Sequence, residues 1–241
     1  MSNPQSAPSE TQTAAVSKTL WIRRILLYVV GLFILTLGVS ISIRSDLGVS
    51  PVSSVPLVLG RVLGVEVGNM TIVVFCAYVL IQIAILRKDF RWIQLLQVVC
   101  AVLFGKFVTL TSSLIAGWEP QSYLERLGMI LLSTVVIAIG IKLYLTANLV
   151  PQASDGLVQT LCAKYHWKLA NVKNACDLAS VAVAASVSLL ATGGLIGLRE
   201  GTLITALGVG RVLWLINRWF GEKLQVFVSE NPTGAKTGTV Q

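Results

Sequence analysis

Six long apolar runs, at about 21–44, 68–87, 91–117, 124–147, 170–193 and 199–220, leave this chain few ways to fold. Each exceeds the roughly 18 residues that a helix needs to cross about 30 Å of hydrocarbon. In that solvent a segment must satisfy its own backbone polar groups, which selects helices. The reading is an all-α membrane protein. Composition agrees, because only 12% of the 241 residues are charged, about half the share in a soluble domain.

The formal charge of +8 is assigned to loops that hold anionic lipid and set orientation, with no patterning that suggests nucleic acid. Cys76, Cys100, Cys162 and Cys176 lie in or beside apolar segments and are read as small hydrophobes. Residues 1–19 and 224–241 are expected to be disordered cytoplasmic tails, since Ser, Thr and Pro dominate the outer parts of both. The run after Trp21 is longer than a signal-peptide core and no cleavage pattern follows, so it is expected to stay as the first span.

Two shorter segments separate the long runs. One, 47–63, carries Pro51 and Pro56, with Ser50 placed as an N-cap; the other, 150–165, holds Gln152, Asp155, Gln159 and Thr160. Both are expected to be short re-entrant or interfacial helices. Orientation supports this. With six spans, Arg23, Arg24, Arg87, Lys88, Arg91, Lys164 and Lys168 fall on one side, and only Arg44, Arg61, Arg126 and Arg199 on the other. The positive-inside rule makes the richer side, with both termini, cytoplasmic.

The chain also repeats. At a shift of 102 residues, Gly38 meets Gly140, Asp46 meets Asn148 and Asn69 meets Asn171. After a three-residue insertion, Gly105 meets Gly210 and Lys106 meets Arg211. With three spans each, repeats 20–117 and 124–220 must run in opposite directions, the inverted-repeat plan of many transporters.

Lys106 and Arg211 are therefore expected near the midplane, where a cation costs about 2.5–3.5 kcal/mol on insertion scales. Either they are structural and paired, or they face a water-filled cavity and hold an anionic group. Asp177 is a natural partner, because Asn171, Asn174, Asp177 and Ser180 form a polar stripe at spacing three. A local pair with Lys173, four residues earlier, explains Asp177 equally. The expected solute-binding set is Lys106, Arg211, Asp177, Asn174, Asn171, Asn69 and Asp46, with Gly38, Gly105, Gly140 and Gly210 as structural glycines. Thr202, Ala206 and Gly210 are expected to form a small-residue packing face.

Enzyme chemistry finds no motif. His166, the only histidine, has no Cys or carboxylate at ligand spacing, and GxSxG, HExxH and Walker A runs are absent. Neither a cofactor nor a metal is expected.

The first helix ending in "RSDLGVSP" and the last opening "GLREGTLITALGVGRVLWL" resemble the YczE/YyaS/YitT group of bacterial multi-pass membrane proteins, over about residues 21–220. The resemblance implies several spans and a bacterial plasma-membrane location. In the second repeat "ANLVPQASDG" stands where the first has "SDLGVSPVSS", so Asp46 has no acidic counterpart. The functional expectation is a secondary transporter or exporter of a small anionic or zwitterionic solute. A small-anion channel and a non-transporting regulator or assembly factor are the alternatives. The bilayer and the solute are the expected partners, nucleic acid is not, and a homodimer is left open.

Overall fold

The computed structural model describes residues 10–228, with side-chain surroundings from residue 20 to 219. All regular structure among them is helical: α1 Glu10–Ser45, α2 Pro51–Leu63, α3 Val67–Leu86, α4 Leu96–Leu114, α5 Tyr123–Ala147, α6 Ala153–Tyr165, α7 Leu169–Thr192 and α8 Glu200–Val228. Two 3-10 turns, Arg87–Asp89 and Trp92–Leu95, join α3 to α4. Five stretches are long and apolar enough to cross a membrane: Leu20–Ser45, Val67–Asp89, Trp92–Leu114, Tyr123–Ala147 and Leu169–Thr192. The sixth apolar run lies within α8, which is interrupted by Arg211, Asn217 and Arg218 and is not among them.

Helical backbone extends into both expected tails, from Glu10 at one end and as far as Val228 at the other. Adding residues to an existing helix costs far less than nucleating one, so polar flanks can join it. The rest of both tail assignments lies outside the described residues.

The centre of the molecule is the crossing of α1 with α5. Gly38 lies so close to α5 that a Cβ there would meet the Ile137 nitrogen at 2.8 Å, and a Cβ on Gly140 would meet the Leu35 Cα at 2.6 Å. These contacts are reciprocal: a shift of 102 residues turns Gly38 into Gly140 and Leu35 into Ile137. Rising numbers on α1 meet falling numbers on α5, so the two helices are antiparallel. Gly38 and Gly140, two of the expected structural glycines, both lie at this crossing.

Side-chain contacts orient the rest. Phe33 meets Phe107 edge to face at 5.6 Å and Ser40 bonds Thr111 at 2.8 Å, so α4 runs parallel to α1. Gln82 bonds Gln97 at one end of the α3–α4 pair, while Gly68 abuts Gly105 at the other, so α3 is antiparallel to both. Gly201 lies against Ile130, Gly208 against Thr134 and Asn217 against Lys142, which makes α8 parallel to α5.

The two short helices repeat one design at the same shift of 102. Each has 13 residues, from Pro51 to Leu63 and from Ala153 to Tyr165. The helix before each ends in the left-handed region, at Asp46 (φ 55°) and Asn148 (φ 48°), and each short helix ends so too, at Gly64 (φ 65°) and His166 (φ 55°). Asp and Asn tolerate that conformation better than most residues, which gives Asp46 and its counterpart Asn148 a backbone role. Each extended link is then tied to α1, by Ser42 Oγ donating to the Gly48 carbonyl and Tyr28 Oη donating to the Val150 carbonyl. The first half of each short helix is buried, and the chain becomes exposed at Arg61–Glu66 and at Ala163–Trp167. Each segment therefore has an extended link, a largely buried first half and an exposed end.

One correction concerns packing. Ala206 and Gly210 are exposed, and a Cβ on Gly210 would meet nothing. The small-residue face of α8 is Gly201, Thr205 and Gly208 instead, turned toward Leu47 and α5.

Candidate functional site

The buried halves of α2 and α6 meet α3 and α7 around a cavity of about 200 Å³. Val52 and Val55 of α2, Tyr78 of α3, and Ser154, Leu157 and Val158 of α6 line it; α7 contributes Lys173, Cys176, Asp177 and Ser180 among others. Most of the wall is apolar, and its charges come from one spot on α7.

Lys173 is the hub there. Its Nζ lies 3.1 Å from Asp177 Oδ1, one turn along α7, and 3.7 Å from Asp155 Oδ1 on α6. Tyr144 of α5 donates to Asp155 Oδ2 at 2.5 Å. Local sequence explains each position. Lys173 and Asp177 stand at i and i+4, which places them on one helix face. Asp155 falls in the first turn of α6, where the helix dipole favours a carboxylate; the N-cap residue Gln152 makes no side-chain cap bond.

With all three ionised, two carboxylates and one ammonium leave a net charge of −1. Asp177 lies eight residues into α7, about 12 Å along the axis. The three side chains are 29–37% exposed. Half-exposed ion pairs contribute about 0–1 kcal/mol, whereas each charge in a span costs about 2.5–3.5 kcal/mol on insertion scales. Pairing alone falls short of that cost.

The expected cations lie elsewhere. Lys106 is exposed on α4 and its Nζ donates to Asn69 Oδ1 at 3.3 Å; Asn69 in turn donates to Glu66 Oε2 at 3.2 Å. Arg211 is exposed on α8, and Asn171 and Asn174 are exposed on α7. Among the described residues no ion pair joins Lys106 or Arg211 to Asp177; the local pair with Lys173 forms instead. Asp46 bridges Arg61 at 3.3 Å and Arg126 at 3.5 Å, at the end of the molecule where α1 finishes. Gly105 packs on Gly68, whereas its counterpart Gly210 is open.

Sequence reasoning left Lys173, Asp155, Tyr144 and Ser154 out of the site. The signal was present in two pieces: the i, i+4 spacing on α7, and the polarity of the segment around Asp155. What joins them is the fold of α6 back against α7.

A bundle of apolar helices with two buried short helices and an ionic cavity between them defines a polytopic helical membrane protein. The chain belongs to the family of unknown function DUF6198, which matches residues 22–218. It is 27% identical over 187 residues to the uncharacterized membrane protein YczE of Bacillus subtilis (strain 168), covering 77% of this chain and 81% of that one. It is 25% identical over 207 residues to an uncharacterized protein of Haemophilus influenzae (strain ATCC 51907 / DSM 11121 / KW20 / Rd), covering 84% of this chain and 88% of that one. No solved structure matches it. The resemblance to YczE drawn from the helix-end motifs is thereby borne out.

Proposed function

We propose that this protein is a secondary transporter of a small zwitterionic solute, with six spans in two inverted repeats, in the bacterial plasma membrane. Both termini are then cytoplasmic. The observation that carries the reading is the cavity itself, walled by the buried halves of both short helices and holding Lys173 beside Asp177. An ammonium and a carboxylate about 3 Å apart can exchange their mutual pair for a solute's carboxylate and amine. The net negative charge of the cluster argues against a purely anionic solute, narrowing the sequence expectation. The inverted repeat draws support from the reciprocal Gly38–Ile137 and Leu35–Gly140 contacts. Equivalent helices that cross antiparallel are related by an axis perpendicular to them, hence in the membrane plane.

Purified protein in liposomes should take up one member of a panel of radiolabelled zwitterionic amino acids and small organic anions with saturable kinetics. Lys173→Met and Asp177→Asn should each lower uptake at least about tenfold, the effect of one lost charge-assisted contact of about 1.5–3 kcal/mol, with protein recovered in the membrane. Uptake that rises linearly with concentration would point to a channel. Wild-type uptake in both variants would place the solute elsewhere.

A further inference from the structure

The opposite face of α6 borders a second cavity, of about 350 Å³, between α6, the start of α4 and the link that enters α6. No ionisable side chain lines it. Its polar groups are Gln94, Gln97, Gln159 and Thr160.

The amide of Gln97, 2% exposed, is oriented by its neighbours. Gln82 Nε2 donates to the Ala153 carbonyl at 3.1 Å and to Gln97 Oε1 at 3.0 Å. A carbonyl only accepts, so Gln82 must turn its nitrogen toward Ala153, and Gln97 must then turn its oxygen toward Gln82. The Gln97 NH₂ is left with no acceptor among the described residues. Gly156 makes room for it, since a Cβ there would lie 2.6 Å from the Gln97 nitrogen. On the same wall Thr160, 4% exposed, adds a hydroxyl with no partner among the described residues. Buried amide and hydroxyl groups are almost always satisfied, so a wall holding the spare Gln97 NH₂ and this hydroxyl is built for something that supplies the complements.

We infer that this cavity binds a small uncharged molecule through a carboxamide-like group, whose oxygen accepts from Gln97 Nε2 and whose NH₂ donates to Thr160 Oγ. A carboxylate or an ammonium meets no counter-charge in this wall, and burying an unpaired ion is costly. The wall therefore selects against both ions.

Saturation-transfer NMR on the purified full-length protein in detergent tests this with three probes of one shape: isobutyramide, isobutyrate and isobutylamine. Isobutyramide should bind and the two ions should not. Gln97→Leu and Thr160→Val should each weaken it about tenfold, as expected for one lost hydrogen bond. The Thr160 hydroxyl has no protein partner to strand, so Thr160→Val keeps its fold, and a melting curve matching wild type verifies it. Equal binding of either ion would overturn the assignment. So would isobutyramide binding that both substitutions leave intact, or no isobutyramide binding at all, as for a cavity that holds only water.

Discussion

Lys106 and Lys173 carry the same charge into the same helical bundle and meet different surroundings. Lys106 reaches one neutral amide on an exposed seam, and Lys173 reaches two carboxylates beside a cavity. Removing the first should therefore cost nothing: Lys106→Met should melt no lower than wild type in detergent and keep full solute uptake, and a lost uptake would restore Lys106 to the site. Tyr144 is the converse case, buried and donating to Asp155. Tyr144→Phe strands one carboxylate oxygen, at a cost of about 1.5–3 kcal/mol for a hydrogen bond to a charged group. A clear fall in the melting temperature is expected, and an unshifted melt would mean that Asp155 finds another donor. The charges were visible in the sequence, but their ranking was not, because depth along a helix is readable from residue number whereas the direction a side chain faces depends on what packs there.

At the scale of elements, the two halves share the left-handed ends around α2 and α6 and differ where α3 closes on α4. α3 and α4 close on each other through Gly68 and Gly105, where a Cβ on Gly105 would meet the Gly68 carbonyl at 2.5 Å. In the second repeat the positions are Ala170 and Gly210, and a Cβ on Gly210 meets nothing. Gly105→Ala should therefore destabilise by about 1–3 kcal/mol, the usual cost of overpacking. Gly210→Ala should be neutral or stabilising by up to about 1 kcal/mol, because alanine loses less entropy in a helix. Thermal melts of the two variants side by side read this difference, and equal losses would show that Gly210 is packed after all. Aligned glycines thus look alike in sequence and serve different ends, since only a neighbouring backbone makes the absence of a Cβ matter.

For the whole molecule, the antiparallel crossing of α1 with α5 puts the exposed ends of α2 and α6 at opposite ends of the bundle. Val65 and Trp167, both exposed, are the positions to test. Single cysteines there, in a chain whose native Cys residues are replaced by Ala, should respond oppositely to an impermeant thiol reagent in intact cells. Val65→Cys should label, and Trp167→Cys should label only after the membrane is opened. Labelling of both from outside would remove the opposed arrangement and with it the inverted repeat on which the transport reading depends.

The sequence by itself determined a helical membrane protein, the approximate course of its long helices but not the outer ends of the first and last, and a pattern of residues that recurs at a shift of 102. Each of these follows from local facts: apolar length against hydrocarbon thickness, residues that accept a left-handed end, and a pattern that recurs along one chain. Only the tertiary structure decided which polar groups meet. Asp155, Tyr144 and Lys173 stand on three helices, Gln82, Gln97 and Ala153 on three, and nothing local to any of them specifies the others. The packing of α6 against α3, α4 and α7 brings both groups together, on opposite faces of one 13-residue helix. That packing depends on the shapes of all the helices at once, which a one-dimensional pattern does not encode.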